Sequence, residues 1–265
     1  MKIKQIRNAT IVLDYDDQRI LIDPFLGDKG SYDPFPSLVG NEKNPIIDLP
    51  VSIDSIIKDI DLVIVTHTHI DHWDPKAAEV LNKDLPFVVQ NEADAKVIRE
   101  DGFKDVTILE NNMTFKGITL TKTPGQHYVD LETKKFMDGA SGVTEAMGII
   151  FSAEKEATLY LAGDTIWYTG VKETLATYQP EIIILNAGGN QFAMDNDDSD
   201  SGRLLMNEKE VFKVHQTAPN AKIVASHMEA VNHWYTTRDD LKMIAKNNNF
   251  EKLLFVPEDG ETVEF

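Results

Sequence analysis

Apolar positions alternate with polar ones at period two through the first two dozen residues, a strand signature. Residues 1–14 and 18–24 read as a hairpin turning at Tyr15-Asp16-Asp17-Gln18. Residues 25–50 are rich in Gly, Pro and Asp and lack periodicity, which makes them a long loop of the kind that carries function. A short helix is expected over 51–60, followed by the apolar strand run Asp61-Leu-Val-Ile-Val65. Asp74 and Pro75 supply an N-cap and a first-turn proline for a helix through residue 83. Phe87-Val-Val predicts a strand, 92–101 a helix and 106–109 a strand, and 113–123 reads as one alternating strand. Residues 147–152 and 158–162 form a hairpin-like pair. Helices over 171–178, 207–217 and 237–246 then alternate with buried strands at 182–186 and 222–226. Strands dominate the first half and βα alternation the second, with no linker or shift of composition. A single α/β domain over 1–265 follows, with sheets packed together and helices outside.

Composition narrows the function. The 265 residues include no cysteine, which removes disulfides, thiolate nucleophiles and Cys-based zinc sites and leaves His and carboxylate as the strong metal ligands. Lys plus Arg number 26 against 44 Asp plus Glu, a formal charge of −18. Such a surface repels phosphate backbones and anionic membranes, so neither nucleic acid nor membrane is an expected partner. A small substrate, even an anionic one, stays compatible because bound metal ions dominate their local field. The opening residues alternate like a strand rather than forming a signal peptide, and no apolar stretch reaches bilayer length, so a cytoplasmic location is expected.

The chemistry concentrates in His67-x-His69-x-Asp71-His72, where the apolar strand run ends. In extended chain, residues two apart point the same way, so His67 and His69 can grip one cation. After the turn, Asp71 and His72 face the same space. That is more ligand than one tetrahedral ion takes from a local segment, which suggests two metals. His127, Asp164 and His227 each follow an apolar strand in the same way. Singly, each is an ordinary hydrogen-bonded residue; with the central motif they complete a ligand set. Asp23, before Pro24, fits a partner for a ligand imidazole and a plain turn residue equally. His233 suits proton donation to a leaving group or binding of a substrate anion. His215, late in a helix, reads as a surface residue favoured by the helix dipole. Trp73, Trp167 and Trp234 stand near the candidate ligands, as pocket lining or as packing. The acidic run at 195–202 lacks calcium-loop spacing and reads as a solvated loop near the site.

These motifs, together with Asn8-Ala-Thr and Ile20-Leu-Ile-Asp-Pro-Phe25 near the start, resemble the metallo-β-lactamase-fold hydrolases, in the branch that includes ascorbate-6-phosphate lactonase-like enzymes. The resemblance runs along nearly the whole chain. It implies a four-layer αββα sandwich with metals at one edge, and two divalent ions, zinc first with manganese or iron as alternatives. His67, His69 and His127 would hold one ion, Asp71, His72 and His227 the other, and Asp164 would bridge. The implied nucleophile is a hydroxide between the ions, oriented or deprotonated by Asp71, with His233 as a further catalytic candidate. The expected substrate is a small ester, lactone or phosphoester. A superfamily nuclease or phosphodiesterase, iron-based redox chemistry and a non-catalytic metal sensor are the alternatives. Relatives of this kind often assemble, so a homo-oligomer is also expected.

Overall fold

The computed structural model describes residues 1–140, 145–195 and 200–265. Its first half runs β1 (Lys2–Arg7), β2 (Thr10–Tyr15), β3 (Gln18–Ile22), α1 (Ile53–Ile57), β4 (Leu62–Val65), α2 (Pro75–Val80), β5 (Pro86–Val89), α3 (Glu92–Glu100) and β6 (Asp105–Ile108). Then come β7 (Asn112–Phe115), β8 (Ile118–Pro124), α4 (Leu131–Ala140), β9 (Met147–Ser152), β10 (Leu159–Leu161), α5 (Thr169–Tyr178) and β11 (Ile182–Asn186). The chain ends with α6 (Glu208–Thr217), β12 (Lys222–Ser226), α7 (Arg238–Asn247), β13 (Leu254–Phe255) and β14 (Thr262–Glu264).

Two sheets result, ordered β14-β1-β2-β3-β4-β5-β6 and β13-β12-β11-β10-β9-β8-β7. Each joins an antiparallel part to a parallel part: β3 through β6 run parallel in the first, β10 through β13 in the second. Alternate residues of each strand feed different cores because side chains change face at every step. Ile20, Ile22, Leu62 and Ile64 of the first sheet meet Leu120, Ile149, Leu161 and Ile184 of the second in the central core. Their neighbours Leu21, Val63 and Val65 turn outward onto Ile56 of α1, Ala77 of α2 and Ile98 of α3. Tyr160, Ile183 and Ile223 turn the other way onto Leu175 of α5, Val211 of α6 and Leu241 of α7. The order of layers is α, β, β, α, as the resemblance implied. The helices begin where short polar side chains cap them: Asp74 accepts from Ala77 N, Asn91 from Asp94 N, and Thr237 forms a capping box with Asp240. Among the described residues, no helix is long and apolar enough to cross a membrane.

The structure corrects several expected elements. Residues 1–14 are two strands, broken at Asn8 with φ of 54°. The stretch 113–123 is a hairpin, turned at Lys116 and Gly117, both at positive φ. The apolar positions change phase there, from 113 and 115 to 118 and 120, and that slip beside Gly117 is the mark of the two-residue turn. The pair β9 and β10 is antiparallel as expected. The helix after Pro75 stops at Val80, and α4 and β14 carry no periodic signal strong enough to read.

Candidate metal centre

The site forms at one edge of the sandwich, where strands of both sheets end. β4 delivers Thr66 and His67, and the following turn delivers His69, Asp71 and His72. His127 follows β8, Asp164 follows β10 and His227 follows β12. Tight backbone makes this convergence possible: Gly163 has φ of 66°, and a Cβ there would lie 2.4 Å from Met147 O. His227 itself has φ of 58°, and Asn8 and Asp23 are also left-handed, a concentration of strained residues typical of functional sites.

The expected ligands come together. Asp164 Oδ2 lies 3.2 Å from His72 Nε2, 3.4 Å from His127 Nε2, and 3.9 Å from both His67 Nε2 and His227 Nε2. His67 Nε2 is 2.9 Å from His69 Nδ1, and His227 Nε2 is 3.2 Å from Asp71 Oδ2. Three sets of donors, His67–His69–His127, His67–His72–Asp164 and Asp71–His72–His227, each have ligand atoms within 4.8 Å of one another. Except for His69, all of these side chains are buried.

Hydrogen bonding behind the rings decides what they present. Asp23 Oδ2 accepts from Thr66 Oγ1 at 2.8 Å and from His72 Nδ1 at 2.9 Å, while its Oδ1 accepts from Thr66 N at 2.7 Å. His72 therefore donates from Nδ1, and a ring with that one proton has its lone pair on the buried Nε2, which has no hydrogen-bond partner among the described residues. Thr66 Oγ1 spends its hydrogen on Asp23 and can only accept from His67 Nδ1, 3.2 Å away. His127 Nδ1 faces Leu204 O at 3.3 Å and donates to it. Three Nε2 lone pairs thus converge on the Asp164 carboxylate. Electron-rich atoms at such separations repel unless a cation or an added proton lies among them, and burial sharpens the repulsion. The donor set fits divalent metal.

Protonation follows the same logic. Burial lowers His72, yet Asp164, Asp23 and Asp71 overcome it and hold that ring well above its ordinary pKa, so without a cation the Nε2 lone pair takes the added proton. Burial, with His72 and His69 adding to it, pushes His67 well below. Burial also takes His127 down to about 4. For Asp71 and Asp164, burial pushes upward, but His72 and His227 hold both carboxyls well below the carboxylate range.

Supporting residues emerge to which the sequence assigned no role. Asn8 Nδ2 lies 3.1 Å from Asp71 O and from His227 Nε2, and 3.2 Å from Asp71 Oδ2. Asn186 Nδ2 donates to Asp164 Oδ1 at 2.6 Å. Asn232 clasps the long loop to the segment bearing His227: its Oδ1 accepts from Phe35 N and Asn44 Nδ2, and its Nδ2 donates to Phe35 O and Gly40 O. Asn8 and Asn232 look like turn residues in a sequence and Asn186 like the polar end of β11, and only their tertiary partners show the supporting role.

The remaining candidates divide. Asp23 is both a left-handed turn residue and the partner of His72. His233 lines the metal cavity, wedged between Phe35 and Phe192 at centroid distances of 4.6 and 5.4 Å. Burial takes its pKa to about 3, so at neutral pH the proton it can offer is that of a neutral ring. His215 is not a charged helix-end residue: it stacks on Phe250 at 4.4 Å, and burial lowers its pKa. Trp73 belongs to the outer core, its Nε1 donating to Asp101 Oδ2 and its ring meeting Phe87 and Phe103. Trp167 packs with the helices of the second sheet, and neither it nor Trp234 lines the metal cavity. Residues 196–199 of the acidic run lie outside the described residues; at its described end Ser201 and Gly202 are buried and Asp200 pairs with Arg203. Phe35 from the long loop, with Asn190, Phe192, Leu204 and Leu205, walls the cavity.

Comparison with known proteins agrees with this architecture. A family model described as a beta-lactamase superfamily domain matches residues 18–228. The chain is 44% identical over 266 residues to the UPF0173 protein YddR of Bacillus subtilis (strain 168), covering 100% of both chains. The crystal structure of an isothiocyanate hydrolase from Delia radicum gut bacteria superposes with a TM-score of 0.92 at 37% identity, covering 100% of this chain and 99% of that one. A possible metal-dependent hydrolase from Veillonella parvula DSM 2008 gives a TM-score of 0.89 at 40% identity, covering 100% and 99%.

Proposed function

This chain belongs to the beta-lactamase superfamily, as a metal-dependent hydrolase of the UPF0173 group, and from that premise we propose that it hydrolyses a small uncharged substrate at an electrophilic carbon. An ester or lactone carbonyl meets that description, as does an isothiocyanate carbon, the substrate type named for the similar gut-bacterial enzyme. The supporting observation is the convergence of the His67, His72 and His127 Nε2 lone pairs on Asp164. We assign His67, His69 and His127 to one cation, Asp71, His72 and His227 to a second, and Asp164 to both. Bound divalent ions supply a water acidified toward neutral pH and polarise the electrophile; zinc suits these donors, with manganese and iron open.

The chain's own groups do the rest. Asp71 lines the cavity, and in the metal-free site His72 and His227 hold it well below the usual carboxylate range as a charged carboxylate. Its role is to orient the attacking water, itself steadied by Asn8. His233, neutral between two phenyl rings, offers a hydrogen bond rather than a positive charge. No Lys or Arg lines the cavity among the described residues, and phosphate recognition ordinarily uses such donors. Carbon is therefore preferred over phosphorus. The cysteine-free composition suits a cytoplasmic setting.

The test loads the protein with zinc, manganese or iron and measures turnover of short esters, lactones, isothiocyanates and phosphodiesters, with His69→Ala as control. Turnover of carbon electrophiles that disappears together with metal in the control is the expected result. Activity surviving metal loss in His69→Ala removes the mechanism, and activity confined to phosphodiesters overturns the preference for carbon. Stoichiometric metal with no turnover points to a sensor.

A further inference from the structure

Beside the metal cavity lies a second, larger chamber of about 290 Å³, lined by Phe35, Pro36, Thr68, Ile70, Phe136, Met137 and Phe192 around His69. The two share Phe35, His69 and Phe192 as common walls. The metal cavity is small by comparison, about 20 Å³, room for roughly one water-sized group. A substrate reacting there must keep most of its bulk elsewhere, and the adjoining chamber is where that bulk can go.

Its chemistry is one-sided. No charged side chain lines it among the described residues, and the Thr68 hydroxyl is turned away to Asp94 Oδ1 at 2.5 Å. What remains is aromatic and aliphatic surface. Phe192 holds Phe136 at 5.4 Å and Phe35 at 6.2 Å between centroids, giving a wall of tilted rings. Met137 is buried with Leu204 and Leu205, and a thioether adapts to irregular shapes. A dry apolar cavity of about 150 Å³ is enough to take benzene, so this one admits a phenyl ring or a chain of several carbons. The Asn232 clasp on the Phe35 backbone fixes the shared wall in place.

We infer that this chamber binds an uncharged apolar substituent of the substrate, an alkyl or arylalkyl group, while the electrophilic carbon reaches the metal cavity past His69. The inference rests on the proposed hydrolysis at carbon and adds which carbon electrophiles are preferred. Each methylene buried in the chamber should raise kcat/KM about fourfold until it is full, since one buried CH₂ contributes about 0.8 kcal/mol. Charged or strongly polar substituents of equal length should be rejected.

Two measurements separate the chamber from the hydrolysis. The first follows kcat/KM of the metal-loaded protein along an ethyl-to-hexyl series of whichever electrophile class it turns over. The second, free of catalysis, is saturation-transfer NMR with 1-hexanol on the full chain without metal. Both are repeated with Phe136→Asp, and with Pro36→Glu, whose site is exposed enough that folding is not at stake. The expected results are a rising series that flattens at least tenfold in the variants, and transfer to hexanol that both variants weaken. A flat wild-type series alongside active turnover overturns the chamber and leaves the hydrolase standing. Equal hexanol transfer in all three proteins also overturns it. Transfer lost in the variants with no carbon electrophile turned over upholds the chamber and sinks only the hydrolysis.

Discussion

Asp23→Asn is the sharpest probe of the site, because it changes one charge and almost no volume. In the native protein the Asp23 carboxylate takes three donors: Thr66 N at 2.7 Å, Thr66 Oγ1 at 2.8 Å and His72 Nδ1 at 2.9 Å. An amide can keep its oxygen toward Thr66 N only by aiming its NH₂ at Thr66 Oγ1 and His72. His72 must then move its proton to Nε2 to accept at Nδ1, and the lone pair aimed at Asp164 is lost. The opposite amide orientation leaves two N–H groups facing each other at Thr66. Loss of such an outer partner typically weakens metal binding 10- to 100-fold, about 1.4–2.7 kcal/mol at the usual exchange of tenfold for 1.36 kcal/mol. Lost hydrogen bonds to a buried charge cost the fold a further ~1.5–3 kcal/mol. The assay is chelator-competition titration with zinc, paired with thermal melts with and without metal. Asp23→Asn that binds zinc as tightly as the native chain, with an equal metal-induced rise in Tm, would refute the tautomer argument.

Other outcomes follow from the same geometry. Asn232→Ala strips the partners from Phe35 N, Phe35 O, Gly40 O and Asn44 Nδ2. It should lower stability by about 2–4 kcal/mol, since each buried group left unpaired costs ~1–3 kcal/mol and such costs do not add fully; an unchanged melt would contradict the clasp. His233 is neutral in the fold down to about pH 3 but takes up a proton near pH 6.5 when unfolded. The folded state thus binds fewer protons across that window, and its contribution to stability is complete above 6.5 and drains away as pH falls. Metal-free protein should lose up to about 1.4 kcal/mol per pH unit there from this residue, and melts of His233→Gln from pH 4 to 7 should be correspondingly flatter. Ile184→Ala, at the centre of the core between the sheets, should cost ~2–5 kcal/mol by urea titration without altering the metal ligands.

Hydrophobic period and local chemistry determined a good deal of this protein directly. The buried runs at β4, β11 and β12, the Asp74-Pro75 helix start and the layer class all followed from side-chain patterning, because one face of every element must find a core. The metal motif was equally legible, since His67, His69, Asp71 and His72 sit within one turn, where spacing alone sets direction. His127, Asp164 and His227 could be flagged at strand ends, but their convergence on the 67–72 motif depends on two sheets packing face to face, a long-range event with no local signal. The hairpin at Lys116-Gly117 leaves only a one-residue slip of the alternation between Phe115 and Ile118 beside a glycine, a weak local signal for reversing the chain. Tertiary structure alone decided which asparagines are structural. Asn8 and Asn232 read as turn residues and Asn186 as the end of a buried strand, and only packing against Asp71, Phe35 and Asp164 turns them into supports. The apolar chamber was decided the same way, for Phe35, Phe136 and Phe192 lie far apart in the chain, and a cavity exists only where packing brings such surfaces together and stops short of filling the space between them.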